Sequence, residues 1–236
     1  MILQGKLPFL REKNHVIALV GAGGKTALLY ALAEHFAKKG ARTLVTTTTH
    51  IYRPEGRVWA GNPEEVRNLW AGGSYAVVGQ PCEGGKLKSL EPEELKRYAQ
   101  MAETVLLEAD GAKNMPCKVP AGHEPVIPEF CDLVIGVLGM DAVGRPLREV
   151  CFRQQEAVRL LGITPDAVLD AEKMAEILLS EEGTRKNVGG RPYYVVLNKC
   201  DSPQRIKEGE AIRERLRERG FEQCVLTSFL EDRALE

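Results

Sequence analysis

An α/β fold, with a mostly parallel β-sheet covered by helices on both faces, is predicted by two observations. Near-continuous apolar runs of strand length alternate with helical patterns along the chain, and the first run leads through glycines into a helix start. Strands of a parallel sheet are covered on both sides, so they read as unbroken apolar runs and not as strict alternation. The runs lie at 15–20, 42–46, 75–78, 104–109, 133–138, 193–197 and 224–226. Helical periodicity fills 25–39, ended by Gly40, then 63–70, 92–101, 153–161, 171–179 and 203–219, the last ended by Gly220. Only helices and turns are expected in 140–190, a possible helical cap on a single domain spanning 1–236. The chain shows no internal repeat and no low-complexity linker.

The first strand, turn and helix carry the chemistry. Gly21-Ala22-Gly23-Gly24-Lys25-Thr26 follows an apolar strand and opens a helix, which is the context of a phosphate-binding P-loop. Glycines let backbone N–H groups approach an anion, and the helix start adds partial positive charge. Lys25 is expected to reach the outer phosphates and the Thr26 hydroxyl to ligate Mg2+. Leu19 stands where the full G-x-x-x-x-G-K-[ST] pattern has its first glycine. The compact loop therefore looks as much like the G-x-x-G-K-T loop of Mur-type ATP-dependent ligases as like that of GTPases. Together these features make the fold class P-loop NTPase-like.

Three further stretches are placed where open α/β sheets bind ligands, at the carboxyl ends of their strands. Thr46-Thr-Thr48-Thr-His50 offers hydroxyls and an imidazole to metal or substrate, although threonines also simply suit strands. Glu108 and Asp110 end the 104–109 strand two residues apart, so both point to one face and can hold Mg2+ and activate a nucleophile. The loop 112–130 contains four prolines and carries Lys113, Cys117, Lys118, His123 and Glu124, as expected of an ordered lid or substrate loop. Lys113 or Lys118 could lower the pKa of Cys117, making it a candidate thiolate, against the plainer reading of a small apolar residue seating the loop.

Asn198-Lys199-Cys200-Asp201 follows the sixth strand and matches N-K-x-D, in which the Asp carboxylate accepts from two guanine N–H groups. Asn steadies that loop and the Lys stem lies along the base. With a P-loop in the same chain, GTP is favoured over ATP as the nucleotide.

Composition narrows the class. The 236 residues carry a formal net charge of −1, which gives no reason to expect nucleic acid or a membrane surface as partner. No apolar run nears the roughly 20 residues of a spanning helix, and the 1–6 segment lacks the basic-then-apolar order of a leader, so a cytoplasmic protein is expected. The six cysteines are scattered without a metal-ligand spacing, and reduced thiols are expected. Arg213 to Arg219 interleaves acids with its arginines and reads as a solvated helix face.

The P-loop, the threonine run, the block from Glu108 through Lys113, Cys117, Lys118, His123 and Glu124 to Pro128, and Gly139-Met-Asp-Ala-Val-Gly-Arg-Pro-Leu147 together resemble the YqeC family. The resemblance runs from about residue 10 to residue 200. It implies a P-loop accessory of selenium-dependent molybdenum hydroxylases, with a selenium donor protein or the hydroxylase as possible partners, and it supplies no demonstrated reaction. The family pattern has a His-Arg pair after the Gly-Arg-Pro-Leu stretch, where this chain has Phe152-Arg153. The function expected is Mg2+-dependent binding and hydrolysis of GTP or ATP in assembly or insertion of a selenium cofactor. A small-molecule kinase or ligase, or a nucleotide switch that docks to the hydroxylase, remain alternatives, and the oligomeric state stays open.

Overall fold

A computed structural model describes residues 7–12, 14–54 and 58–229. The 1–6 segment, read above for a leader, lies outside the described residues. In chain order the elements are β1 (Val16–Gly21), α1 (Lys25–Lys38), β2 (Thr43–Thr47), β3 (His50–Tyr52), α2 (Pro63–Ala71), β4 (Ala76–Val77), β5 (Gln80–Cys82), β6 (Lys86–Lys88), α3 (Pro92–Met101) and β7 (Thr104–Glu108). They continue with β8 (Cys117–Lys118), β9 (Leu133–Gly139), α4 (Leu147–Val150), β10 (Cys151–Phe152), α5 (Gln154–Leu161), α6 (Ala171–Leu179), β11 (Tyr193–Asn198), α7 (Pro203–Glu218) and β12 (Cys224–Leu226).

The seven predicted strands form one sheet, ordered β12-β11-β9-β1-β7-β2-β4, and every ladder in it is parallel. β1 is central, so the loop after it opens at the middle of the sheet's carboxyl edge. Strand alternation sorts the core into two clusters. Ile17, Leu19, Val45, Leu106, Ile135, Val137 and Val196 pack with Leu28, Leu29, Leu32 and Phe36 of α1 on one face. Ala18, Val20, Leu44, Val105, Leu107, Val134, Leu138 and Leu197 pack on the other with α2, α3, α6 and α7. The 140–190 stretch sends Leu147, Ala157, Met174 and Leu178 into that second cluster. It also contains β10, which the reading of helices and turns alone did not anticipate.

Helix ends follow local chemistry. Asn62 caps α2, Asp170 caps α6 and Ser202 caps α7, each accepting from a first-turn amide, and Pro63 and Pro203 open their helices where no N–H is needed. Two small sheets escaped the sequence reading: the antiparallel β3-β6-β5 and the parallel pair β10-β8. Among the described residues no helix is long and apolar enough to cross a membrane.

Candidate functional site

The loop between β1 and α1 is drawn tight against neighbouring strands. Gly23 has φ 78, and a Cβ there would stand 1.9 Å from the Gly139 nitrogen. A Cβ on Gly24, at φ 109, would stand 2.3 Å from Nδ2 of Asn198. Only glycine fits both the backbone and the space. The amides of Gly21, Ala22 and Gly23, expected to face a phosphate, instead donate inward to Asp110 Oδ2 (3.1 Å), Val137 O (2.8 Å) and Met115 O (3.2 Å). Among the described residues, the amides of Gly24, Lys25 and Thr26 donate to no protein group, and these face the cleft.

That cleft has a volume of about 820 Å³ and lies over the carboxyl edge of the sheet. On its P-loop side are Lys25, Thr26 and Glu108. The Thr26 hydroxyl donates to Glu108 Oε2 at 2.8 Å, which joins the helix start to the end of β7. Burial raises the Glu108 pKa, while the Lys25 charge and the Thr26 hydrogen bond pull it down. A hydroxyl and a carboxylate oxygen in contact are hard donors of the kind Mg2+ takes alongside substrate phosphates.

Asp110, expected beside Glu108 as a metal ligand and catalytic acid, is engaged by cations and an amide. It does not line the cleft, and its two oxygens are held by Lys25 Nζ (3.0 Å), the Gly21 amide and Lys118 Nζ (3.2 Å). Alternation did place both acids on one side, but Asp110 lies beyond the strand end and meets cations there. Lys118 has no exposed side-chain surface; it also contacts Glu124 Oε2 at 3.0 Å and donates to Gly111 O at 2.6 Å. Glu124 in turn accepts from Arg153 Nε at 2.8 Å. Burial alone would raise its pKa, but the Arg153 hydrogen bond and the Lys118 ammonium outweigh that and hold it at about 2. Lys25, Asp110, Lys118, Glu124 and Arg153 therefore form one chain of alternating charges from the P-loop to the far wall.

The 112–130 loop is anchored at several points and forms one wall of the cleft. Val126 N–H donates to Ala109 O, Lys186 to Ala121 O and Asn187 to Pro125 O. Lys113, His123 and Glu124 line the cleft, as do Thr48 and His50 from the threonine run. Thr47 instead ties β2 to Glu108 O at 2.9 Å. Cys117 is fully buried outside the cleft, in register with Cys151 across β8 and β10. Its hydrogen bond to Cys151 and its burial push the thiol well up, so the expectation of a lysine-activated thiolate is corrected.

Sequence reasoning missed Tyr52, Lys86, Phe152 and Arg153 in the lining. Lys113, Lys118 and Arg153 place their charges 5.4, 5.7 and 5.0 Å from the Phe152 ring centroid. Phe152-Arg153 had been noticed only as a departure from a His-Arg pair. Backbone strain marks the same wall: Lys113, Asn114 and Arg153 all have positive φ and line the cleft, as does Lys199 at its other end. A left-handed non-glycine residue costs roughly 1–2 kcal/mol, and such strain collects at functional sites.

At the other end, Asn198 Nδ2 donates to Gly23 O at 2.9 Å and its Oδ1 accepts from Thr227 at 3.1 Å. Asn198 thus ties the N-K-x-D loop directly to the P-loop. Lys199 lines the cleft with its ammonium on Asp141 Oδ2 at 2.6 Å. Asp201 lies outside the lining, accepting from the Ser228 hydroxyl and from Arg205 at 3.3 Å.

The family model described as YqeC protein matches residues 17–155, more than half of the chain. This chain belongs to the YqeC family. It is also 35% identical over 186 residues to a protein of Escherichia coli (strain K12) described as uncharacterized protein YqeC, covering 75% of this chain and 73% of that relative. The YqeC match takes in the P-loop, the Glu108–Asp110 edge, the whole 112–130 wall and Arg153, whereas Asn198 and Asp201 lie beyond the family model's reach.

Proposed function

We propose that this YqeC protein binds a nucleoside triphosphate with Mg2+ in the cleft and cleaves its terminal phosphoryl group, with guanine preferred to adenine. The observation that carries the reading is the Thr26–Glu108 contact beside Lys25 and the open amides of the first turn of α1. Thr26 and Glu108 would hold the metal, which when bound neutralises charge on the transferring phosphoryl group. The open amides would hold phosphate oxygens. Lys25 would leave Asp110 and the Gly21 carbonyl for the outer phosphates, exchanging one anionic partner for another inside a buried site. The Asn198 bridge supports guanine recognition, because it seats the N-K-x-D loop beside the P-loop; Asp201, which accepts from Ser228 and Arg205, would have to turn to the base.

One observation favours a second reading, transfer to an acceptor in place of water. The cleft extends well past the P-loop to a wall lined by Lys113, Arg153, His123 and Lys86, which hydrolysis alone does not require. The pathway setting remains the one implied by resemblance, the equipping of selenium-dependent molybdenum hydroxylases.

The test is titration of GTP and ATP against wild type, Lys25→Ala and Asp201→Asn. Loss of Lys25 removes a charge-assisted contact and should weaken triphosphate binding by about ten- to a hundredfold. Asp201→Asn should erode a guanine preference of similar size without weakening ATP. A folded Lys25→Ala protein with wild-type affinity sinks the P-loop reading; an ATP preference indifferent to Asp201→Asn sinks the guanine reading alone.

A further inference from the structure

We propose that the far wall of the cleft is a second anion site, built around Lys113 and Arg153, that takes a small molecule bearing a phosphomonoester while the P-loop holds the nucleotide. The proposal rests on the triphosphate reading of the P-loop and names what lies opposite it.

The charge balance points to an anion. Once Lys25 turns to the nucleotide, Asp110, Lys118, Glu124 and Arg153 balance one another. Lys113 keeps an uncompensated positive charge, since no carboxylate among the described residues lies in ion-pair range of its ammonium and its neighbour is the Phe152 ring. A phosphomonoester offers three strong acceptor oxygens, enough for the Lys113 ammonium and the Arg153 guanidinium together.

Geometry agrees with charge. Arg153 gives Nε to Glu124, and its terminal nitrogens donate to no group among the described residues. Anchoring a guanidinium at Nε fixes its plane and leaves the other end for an oxyanion. Glu124 stays ionised down to acid pH, so the anchor persists wherever the protein would work. Lys113 at φ 46 and Arg153 at φ 63 both hold backbone conformations that lysine and arginine rarely adopt, and both line the cleft. Lys113 is exposed, and Arg153 stands half-buried at the N-cap of α5, where its side chain reaches Glu124. Strain fixed at two basic residues beside one ring is the mark of a preorganised anion site.

The deciding measurement is a 31P NMR titration of inorganic phosphate into the full chain saturated with Mg2+ and a non-hydrolysable triphosphate analogue, run with the guanosine and adenosine forms in parallel. Phosphate should bind saturably beside the analogue. Lys113→Asn, which keeps a residue tolerant of the left-handed backbone, should weaken phosphate about tenfold or more while changing analogue affinity less than about threefold. Arg153→Gln should weaken phosphate by a similar factor and the analogue by less, since its charge reaches Lys25 only through Glu124, Lys118 and Asp110. Arg153→Lys keeps the charge but cannot contact Glu124 and an anion together, so it should fall between Arg153→Gln and wild type, and it serves if Arg153→Gln melts early. No saturable phosphate binding, phosphate binding indifferent to both variants, or an equal loss of analogue affinity would each overturn the second site. If the analogue binds Lys25→Ala as tightly as wild type, the triphosphate reading is what fails. The dependence of phosphate binding on Lys113 and Arg153 can still be measured without nucleotide.

Discussion

Lys118→Met tests the buried charge chain most directly. The Lys118 side chain has no exposed surface, and the two carboxylates that it joins, those of Asp110 and Glu124, are 2% and 9% exposed. Breaking a buried pair costs about 3–5 kcal/mol, because a charge is left without its partner in a poorly solvating place. Here Asp110 keeps Lys25 and Glu124 keeps Arg153, so the lower end, about 3 kcal/mol, is expected. For a chain of this size that is a fall of roughly 6–12 °C in melting temperature, measured by circular dichroism. Acid gives a second readout. Glu124 in the folded protein sits at about 2 against an ordinary 4.5, so its contribution is complete above pH 4.5 and is lost as pH falls through about 2. That shift is worth roughly 3 kcal/mol at most, less the screening felt by its half-exposed partner Arg153. Without Lys118 the folded pKa of Glu124 rises, and acid destabilisation should begin at higher pH than in wild type. Adding Glu124→Gln should recover part of the loss. A Lys118→Met protein that melts within about 2 °C of wild type, with an unchanged acid limb, would refute the account of a coupled buried network.

Three other substitutions separate the roles assigned around the P-loop. Glu108→Gln should weaken the Mg2+ dependence of turnover about ten- to a hundredfold at nearly unchanged melting temperature, whereas Asp110→Asn should lower the melting temperature; the reverse pattern would show that the acids have been exchanged. Gly23→Ala drives a Cβ to within 1.9 Å of backbone on β9 and should destabilise by about 2 kcal/mol or more, so an unaltered thermal melt would contradict the close approach. Cys117→Ser places a hydroxyl in a buried site and should cost about 1–3 kcal/mol, while alkylation of folded wild type at pH 8 should be slower at Cys117 than at half-exposed Cys82; equal rates would contradict a buried thiol.

The main sheet was legible because its strands are buried on both faces, which leaves little room for polar residues: all seven strands and their helices lie within a residue or two of the predicted bounds. β3, β5 and β6 were not legible. Each has three residues and at most one fully buried side chain, Ile51 or Leu87, too short for a period to show, and Pro81 counts against a strand. In the cleft lining, Lys25 and Thr26 were legible from a motif with fixed spacing, and Glu108 from its place at the end of an apolar strand. The ion pair of Asp110 with Lys118 was not legible, since Lys118 comes from a loop whose course no local pattern specifies. Arg153 reaches Glu124 across 29 residues of sequence, and Lys113 owes its position to a backbone conformation that its residue type does not advertise.

The position of β9 sets a limit on where this protein can be divided. β9 lies between β1 and β11, and all seven of its residues are buried. A fragment trimmed at residue 155, where the family model's match stops, would lose β11 and β12 and turn β9 into a bare edge of unpaired amides and carbonyls on an apolar strand. Such an edge recruits other chains. The same cut would remove Asn198 and Thr227, leaving Gly23 O without its donor and Gly24 facing empty space. The stretch that marks the family is thus shorter than the unit able to hold it in shape, and a trimmed protein that aggregates would be reporting on its missing flank, not on its P-loop.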